Sequence, residues 1–195
     1  MYYIVGLGNP GEKYESTRHN VGWAALDYLI DKTGLPSLID SSALSGRTTS
    51  GMLAGEEVSV LYPGTFMNNS GSAVTKLVPK NEVQKLIVVH DDIDLPLGEV
   101  KIGQGRGAGG NNGVKSIIDK LGSKEFVRVR VGIAPKSFWT GEMKRPAGGG
   151  PLERFVLKSF SGSEKKQLAD IYERITIAIE TVVSAGVESA MNKLN

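Results

Sequence analysis

The sequence predicts an α/β fold, a single domain built on a mixed, mostly parallel β-sheet flanked by helices. Three observations carry that prediction. Strand-like apolar runs and helix-spaced segments interleave along the chain instead of falling in separate blocks. Residues 86–89 are apolar without interruption, as in a strand buried on both faces. The 195 residues contain no internal repeat and no linker, and they are enough for one domain with a full core.

Residues 2–5 form a buried strand. A helix opens at His19 or Asn20, with Val21, Ala24, Ala25, Tyr28, Leu29 and Lys32 at helical spacing, and Gly34-Leu35-Pro36 ends it. Residues 37–46 read as irregular. Residues 48–53 and 58–62 pair as strands turned at Gly55. Asn69-Ser70 caps a helix that runs toward Val78 and stops at Pro79. Strands follow at 86–89 and 99–102. Asn112 caps a helix over 113–121, and 127–133 alternates Val and Arg into a strand. Residues 155–160 fit no single period. A long helix over 163–185 puts Leu168, Ile171, Ile175, Ile179 and Val182 on one face, and 187–195 can add a short helix.

The stretch 136–151 reads as a long loop ending Arg145-Pro146-Ala147-Gly148-Gly149-Gly150-Pro151. Such length inside a compact domain marks a functional or a flexible segment. Its Phe138 and Trp139 can stack on bases or pin the loop to the body.

Composition narrows the function classes. With no cysteine, disulfides, zinc–thiolate sites and cysteine nucleophiles are excluded. No apolar run approaches the roughly 18 residues of a membrane span, and a strand begins at once, leaving no room for a leader. The expectation is a cytoplasmic protein. A net charge of +2 does not by itself indicate nucleic acid. Its distribution says more: between Lys101 and Arg145 ten basic residues stand against three acidic ones. That excess suits a phosphate backbone, or is simply a solvated basic face.

The candidate chemistry begins at Gly6-Leu7-Gly8-Asn9-Pro10-Gly11 and runs to Thr17-Arg18-His19-Asn20. An open α/β sheet places its chemistry at the carboxyl ends of strands, where this stretch falls. A histidine there, with an Asn beside it, suggests a general base next to an amide donor. Gly6-x-Gly8-x-x-Gly11 formally matches a dinucleotide fingerprint, but residues 12–18 are polar and no helix opens at once. Asp91, ending the central strand, can hold one nitrogen of His19 and leave the other free to deprotonate water. Alternatively His90 and Asp91 merely end a strand, or Asp91, Asp92 and Asp94 bind a metal. Asn9, Asn68 and Asn112 each lie in or beside a glycine turn leading to a helix. They are turn residues and caps, or together amides that read a peptide or ester group.

These segments resemble bacterial peptidyl-tRNA hydrolase. The matching residues are Gly6-Leu7-Gly8-Asn9-Pro10-Gly11, Tyr14, Thr17-Arg18-His19-Asn20, Phe66-Met67-Asn68-x-Ser70-Gly71, His90-Asp91-Asp92-x-Asp94-Leu95, Gly109-Gly110-x-Asn112-Gly113 and Arg128-x-Arg130-x-Gly132-Ile133. The resemblance implies cleavage of the ester between a peptide and the 3′ end of tRNA by a monomer, without cofactor or metal. It implies His19 as the general base and Asp91 as its orienting partner. Asn9, Asn68 and Asn112 would bind substrate, with Tyr14 and Met67 lining the site. It implies Arg130 as a tRNA phosphate contact. The family's partner lysine aligns near Gly103, so Lys101 or Arg106 would substitute. Asn111 stands where the family commonly has His, and the 136–151 loop is longer than the family's. A binding-only relative of the same fold is the rival reading.

Overall fold

The structure, a computed structural model, describes residues 1–135, 143, 146 and 148–195. Seven strands make one sheet: β1 (Tyr2–Gly6), β2 (Ile39–Ser41), β3 (Gly46–Leu53), β4 (Glu56–Pro63), β5 (Leu86–Pro96), β6 (Val100–Gln104) and β7 (Val127–Ala134), in the order β2-β3-β4-β1-β5-β7-β6. The four central strands β4, β1, β5 and β7 are mutually parallel, while β3 and β6 run antiparallel to their neighbours. The expected mixed, mostly parallel α/β sheet is therefore what forms.

The helices cover both faces. Alternation along β1, β4 and β5 divides the apolar side chains between two cores. Ile4, Val60, Ile87 and Val89 pack with α1 (Val21–Thr33) and α5 (Gly162–Leu194). Val5, Leu61, Leu86 and Val88 pack with α2 (Ser70–Leu77) and α3 (Asn112–Leu121). Central strands sandwiched this way have no face left for polar residues, hence the unbroken apolar run at the start of β5. Helix α4 (Gly150–Val156) stands at the carboxyl edge of the sheet.

Gly34 ends α1 in the left-handed conformation, φ 70°. At the other end of α1, a Cβ on Gly22 would lie 2.5 Å from the Val89 carbonyl oxygen. Only glycine lets the helix start press this closely on the strand ends, and that approach delivers the preceding residues, His19 and Asn20, to the sheet edge.

Several sequence expectations need correction. The segment 37–46 is not irregular throughout: Ile39–Ser41 adds an edge strand to β3, which itself begins at Gly46. Asn111, not Asn112, caps α3; its backbone is extended and its Oδ1 accepts from the N–H groups of Gly113 and Val114. Asn69 occupies the cap position of α2 without a side-chain capping bond. Pro151 sits in the first turn of α4, so the loop expected to reach residue 151 ends at Gly149. The remainder of that loop, Phe138 and Trp139 included, lies largely outside the described residues. The tail continues α5 past a kink at Gly186. No described helix is long and apolar enough to cross a membrane.

Candidate active site

A cavity of about 700 Å³ opens at the carboxyl edge of the sheet, just beyond the end of β1 and beside Asp91, Asp92 and Ile93 of β5. It brings together Asn9, Tyr14, His19, Met67, Asn68, Asp91 and Asn112, the residues expected to act on, bind or line the ester site. Arg130, Lys101 and Arg106 lie outside it.

His19 reaches the cavity on a short 3₁₀ turn, Arg18–Asn20, that leads into α1. Its Nδ1 lies 2.9 Å from both carboxylate oxygens of Asp91. Burial opposes the charge on the imidazole, but the charge and hydrogen bond of Asp91 together outweigh it, so the pKa of His19 is raised above its ordinary value of 6.5. Asp91 is itself buried and held from behind. The Asn111 Nδ2 donates to its Oδ1 at 2.9 Å and to its carbonyl oxygen at 3.2 Å. The same Asn111 carboxamide thus caps α3 and fixes the partner of His19.

The other histidine is different. His90 is 1% exposed, its Nδ1 donates to the carbonyl oxygen of Asp91 at 2.8 Å, and burial lowers its pKa. It is a neutral core group in the middle of β5, which runs on to Pro96 and does not end at His90 and Asp91 as the sequence suggested. The neighbouring acids are also committed separately: Asp92 Oδ2 accepts from Arg130 Nε at 2.7 Å and its Oδ1 from the N–H of Asp94 at 2.8 Å. Among the described residues no group of three acids or histidines is placed to hold a metal ion.

The asparagines divide into two kinds. Asn20, read from sequence as an amide donor beside the base, is 1% exposed and pairs with the backbone of Asn9 on both sides: it accepts from the Asn9 N–H and donates to the Asn9 carbonyl, each at 2.9 Å. It is a clamp. Asn9 in turn accepts from the Met67 N–H through Oδ1 at 2.8 Å, so its amide nitrogen is the end left to donate. Asn68 and Asn112 are exposed on the cavity wall. A Cβ on Gly113 would lie 2.4 Å from Met67 Sδ, so a larger residue there would push the Met67 side chain out of its place on the cavity wall. Tyr14 packs edge-on to Phe66, their ring centroids 6.4 Å apart.

Arg18 fastens the far wall. It is 7% exposed, donates to both carboxylate oxygens of Glu164 and to the carbonyls of Lys158 and Ser159, and lies over the rings of Phe155 and Phe160. This ties the turn bearing His19 to the junction of α4 and α5, and Leu152, Val156 and Leu157 complete the cavity. Sequence reading missed these apolar residues and the Arg18–Glu164 pair. The capping box of α5, Ser161 with Glu164, was the one local signal available.

The cations stand to one side. Lys101 and Arg130 are directly opposite on β6 and β7, so their side chains leave the same face of the sheet. A Cβ on Gly103 would lie 3.8 Å from Arg106 Nε, so the Arg106 side chain crosses the space beside that glycine. Arg128 is buried and donates to the carbonyl of Gly107 at 2.6 Å, anchoring the glycine-rich turn.

A histidine–carboxylate pair and several carboxamides converge in one cavity at the edge of a parallel-centred α/β sheet, a site equipped for general-base chemistry on a polar substrate. A model of the peptidyl-tRNA hydrolase family matches residues 3–195, and the chain belongs to that family. It is 38% identical to a peptidyl-tRNA hydrolase of Syntrophotalea carbinolica, covering all of this chain and 97% of the relative, and 40% identical to one from a Geobacter species, covering 98% and 96%. The crystal structure of peptidyl-tRNA hydrolase from Acinetobacter baumannii superposes with a TM-score of 0.88 at 29% identity, over all of this chain and 94% of that one.

Proposed function

We propose that residues 1–195 form one domain that hydrolyses the ester between a peptide and the 3′ end of tRNA, with His19 as general base and Asp91 as its orienting partner. The observation that carries this reading is the 2.9 Å contact of His19 Nδ1 with Asp91 on the wall of the cavity. With Nδ1–H given to the carboxylate, Nε2 keeps its lone pair. A water loses a proton to Nε2 as its oxygen bonds to the ester carbon. The tetrahedral intermediate then breaks its bond to the ribose oxygen, which takes the proton back from His19. Peptide acid and tRNA leave, and no bond to the enzyme forms.

Asn9 and Asn68 hold the substrate beside the ester, and one of them donates to the developing oxyanion. Asn112 binds substrate and positions water, with Tyr14 and Met67 lining the site. Carboxamides address the peptide backbone, so this reading implies tolerance of many peptide sequences beside the ester. Arg130, Lys101 and Arg106 are the tRNA contacts in this reading, with Arg106 standing where Gly103 offers no side chain. The protein works as a cytoplasmic monomer on peptidyl-tRNA.

The test is release of tRNA from N-acetylated aminoacyl-tRNA with EDTA present. Wild type turns over and His19→Ala binds tRNA without turning over. Equal rates for the two proteins would remove His19 as the base, and tRNA binding without hydrolysis by wild type would favour the binding-only reading.

A further inference from the structure

A second cavity, of about 810 Å³, lies beside the first. The two share a wall: Asn9, Tyr14 and Phe66 face the catalytic cavity, while their chain neighbours Pro10, Glu15 and Thr65 face the second. One side of this cavity is aromatic. Trp23 and Tyr62 stack with centroids 5.5 Å apart and planes 23° from parallel. The Tyr62 phenol donates to Asp27 Oδ1 and to the Trp23 carbonyl oxygen, each at 3.0 Å. The Arg47 guanidinium lies 5.7 Å and 5.4 Å from the two ring centroids. Among the described residues the charged lining is Glu15, Asp27 and Asp40 against Arg47, a net acidic set. None of these groups has a part in the hydrolysis described above.

The strand order gives this cavity a place on the substrate's path. Lys101 and Arg130 sit on β6 and β7, Asp91 and Asn9 on or just beyond β5 and β1, and Tyr62 and Arg47 on β4 and β3. Gly46, next to Arg47, pairs with Pro63 at the end of β4, so this cavity opens at the same carboxyl edge. The tRNA contacts, the ester site and the second cavity therefore follow one another along one edge of the sheet. From β5 to β4 and β3 is two or three strand spacings, about 10–15 Å, which an extended peptide crosses in roughly three to five residues.

We infer that the second cavity is a subsite for the nascent peptide, taking residues about three to five positions before the ester and favouring basic over acidic side chains. The inference rests on the hydrolase reading above. The partly exposed Trp23 indole, backed by the buried Tyr62, gives apolar contact to a passing side chain, and the excess of carboxylates sets the sign of the charge preference.

The test compares N-acetylaminoacyl-tRNA, which ends before the cavity, with hexapeptidyl-tRNAs bearing Lys or Glu four residues from the ester. Wild type is expected to favour the Lys substrate by about threefold in kcat/KM, the scale of an exposed charge pair. Ser42→Trp, which places an indole on the exposed lining, is expected to lower the long-to-short ratio of kcat/KM about tenfold. Asp40→Lys, on the exposed edge strand, should abolish or reverse the Lys preference. Ratios unchanged in both variants, or no charge preference in wild type, would overturn the subsite. Failure of wild type to hydrolyse even the N-acetylaminoacyl-tRNA would instead overturn the hydrolase reading.

Discussion

Asn111 donates from Nδ2 to Asp91 Oδ1 at 2.9 Å while its Oδ1 accepts from the N–H groups of Gly113 and Val114. One carboxamide thus joins the first turn of α3 to the carboxylate that holds His19. An Asp at 111 keeps the capping acceptor but turns the donor into a second negative charge beside Asp91. For Asn111→Asp the acid limb of the pH–rate profile is therefore expected to move to higher pH, because the extra charge further favours protonated His19. Asn111→Ala is expected to lose about 1 kcal/mol of stability with the cap. Thermal unfolding and pH–rate profiles check the two effects separately, and an unmoved acid limb in Asn111→Asp would uncouple residue 111 from the base.

Asn20 shapes the site without facing it. Asn20→Ala strands the N–H and carbonyl of Asn9 in a buried position, which is expected to cost about 2–3 kcal/mol. Asn9 also loses its placement, so kcat should fall more than KM rises. Denaturant unfolding and steady-state kinetics on one preparation would show both losses. Full stability in the variant would mean that the clamp is dispensable.

The Arg18–Glu164 pair makes stability depend on pH. Burial alone would raise the Glu164 pKa. The Ser161 N–H and Arg18 outweigh it, so the folded-state value lies below the ordinary 4.5. A depressed carboxyl pKa contributes stability that is present above the unfolded value and lost as pH falls through the folded one. Glu164→Gln is expected to cost about 2 kcal/mol near neutrality, less than a fully buried pair, and little at pH values below the folded pKa. Calorimetry across that range should show the Tm difference shrinking toward acid. A constant difference would contradict the ion-pair account.

Arg130 is tied to Asp92 through Nε, and in the proposed function its terminal nitrogens are the ends that would meet phosphate. Arg130→Ala is expected to raise KM for full-length tRNA substrates and to reduce the log–log salt slope by about one. Kinetics at several salt concentrations would decide it, and unchanged values would remove Arg130 from the tRNA surface.

What sequence could and could not announce follows from the range of each interaction. The apolar start of β5, the Gly34 stop of α1 and the strand-to-helix turns are local patterns, and they mark the carboxyl edge of the sheet where the cavity lies. Ile39–Ser41 is a short, largely exposed edge strand, so it lacks the apolar alternation that marks a strand. The α3 cap falls on Asn111 rather than Asn112 through backbone conformation, which two adjacent identical residues do not reveal. Asn20 reads from sequence as an amide donor beside the base because its actual partner, the Asn9 backbone, is set by folding. Glu164 meets Arg18 across 146 residues, a contact without a local signature.

The central claim is that His19 is the catalytic base and that Asp91 sets its pKa. It is tested most directly by the pH dependence of kcat/KM for wild type and Asp91→Asn on N-acetylated aminoacyl-tRNA. In wild type the neutral base forms as pH rises through the raised His19 pKa, so the acid limb should have an apparent pKa above 6.5. Asp91→Asn removes the group that raises that pKa and leaves burial, which lowers it, so the limb should move below 6.5 while the plateau falls. An acid limb at the same pH in both proteins would contradict the account.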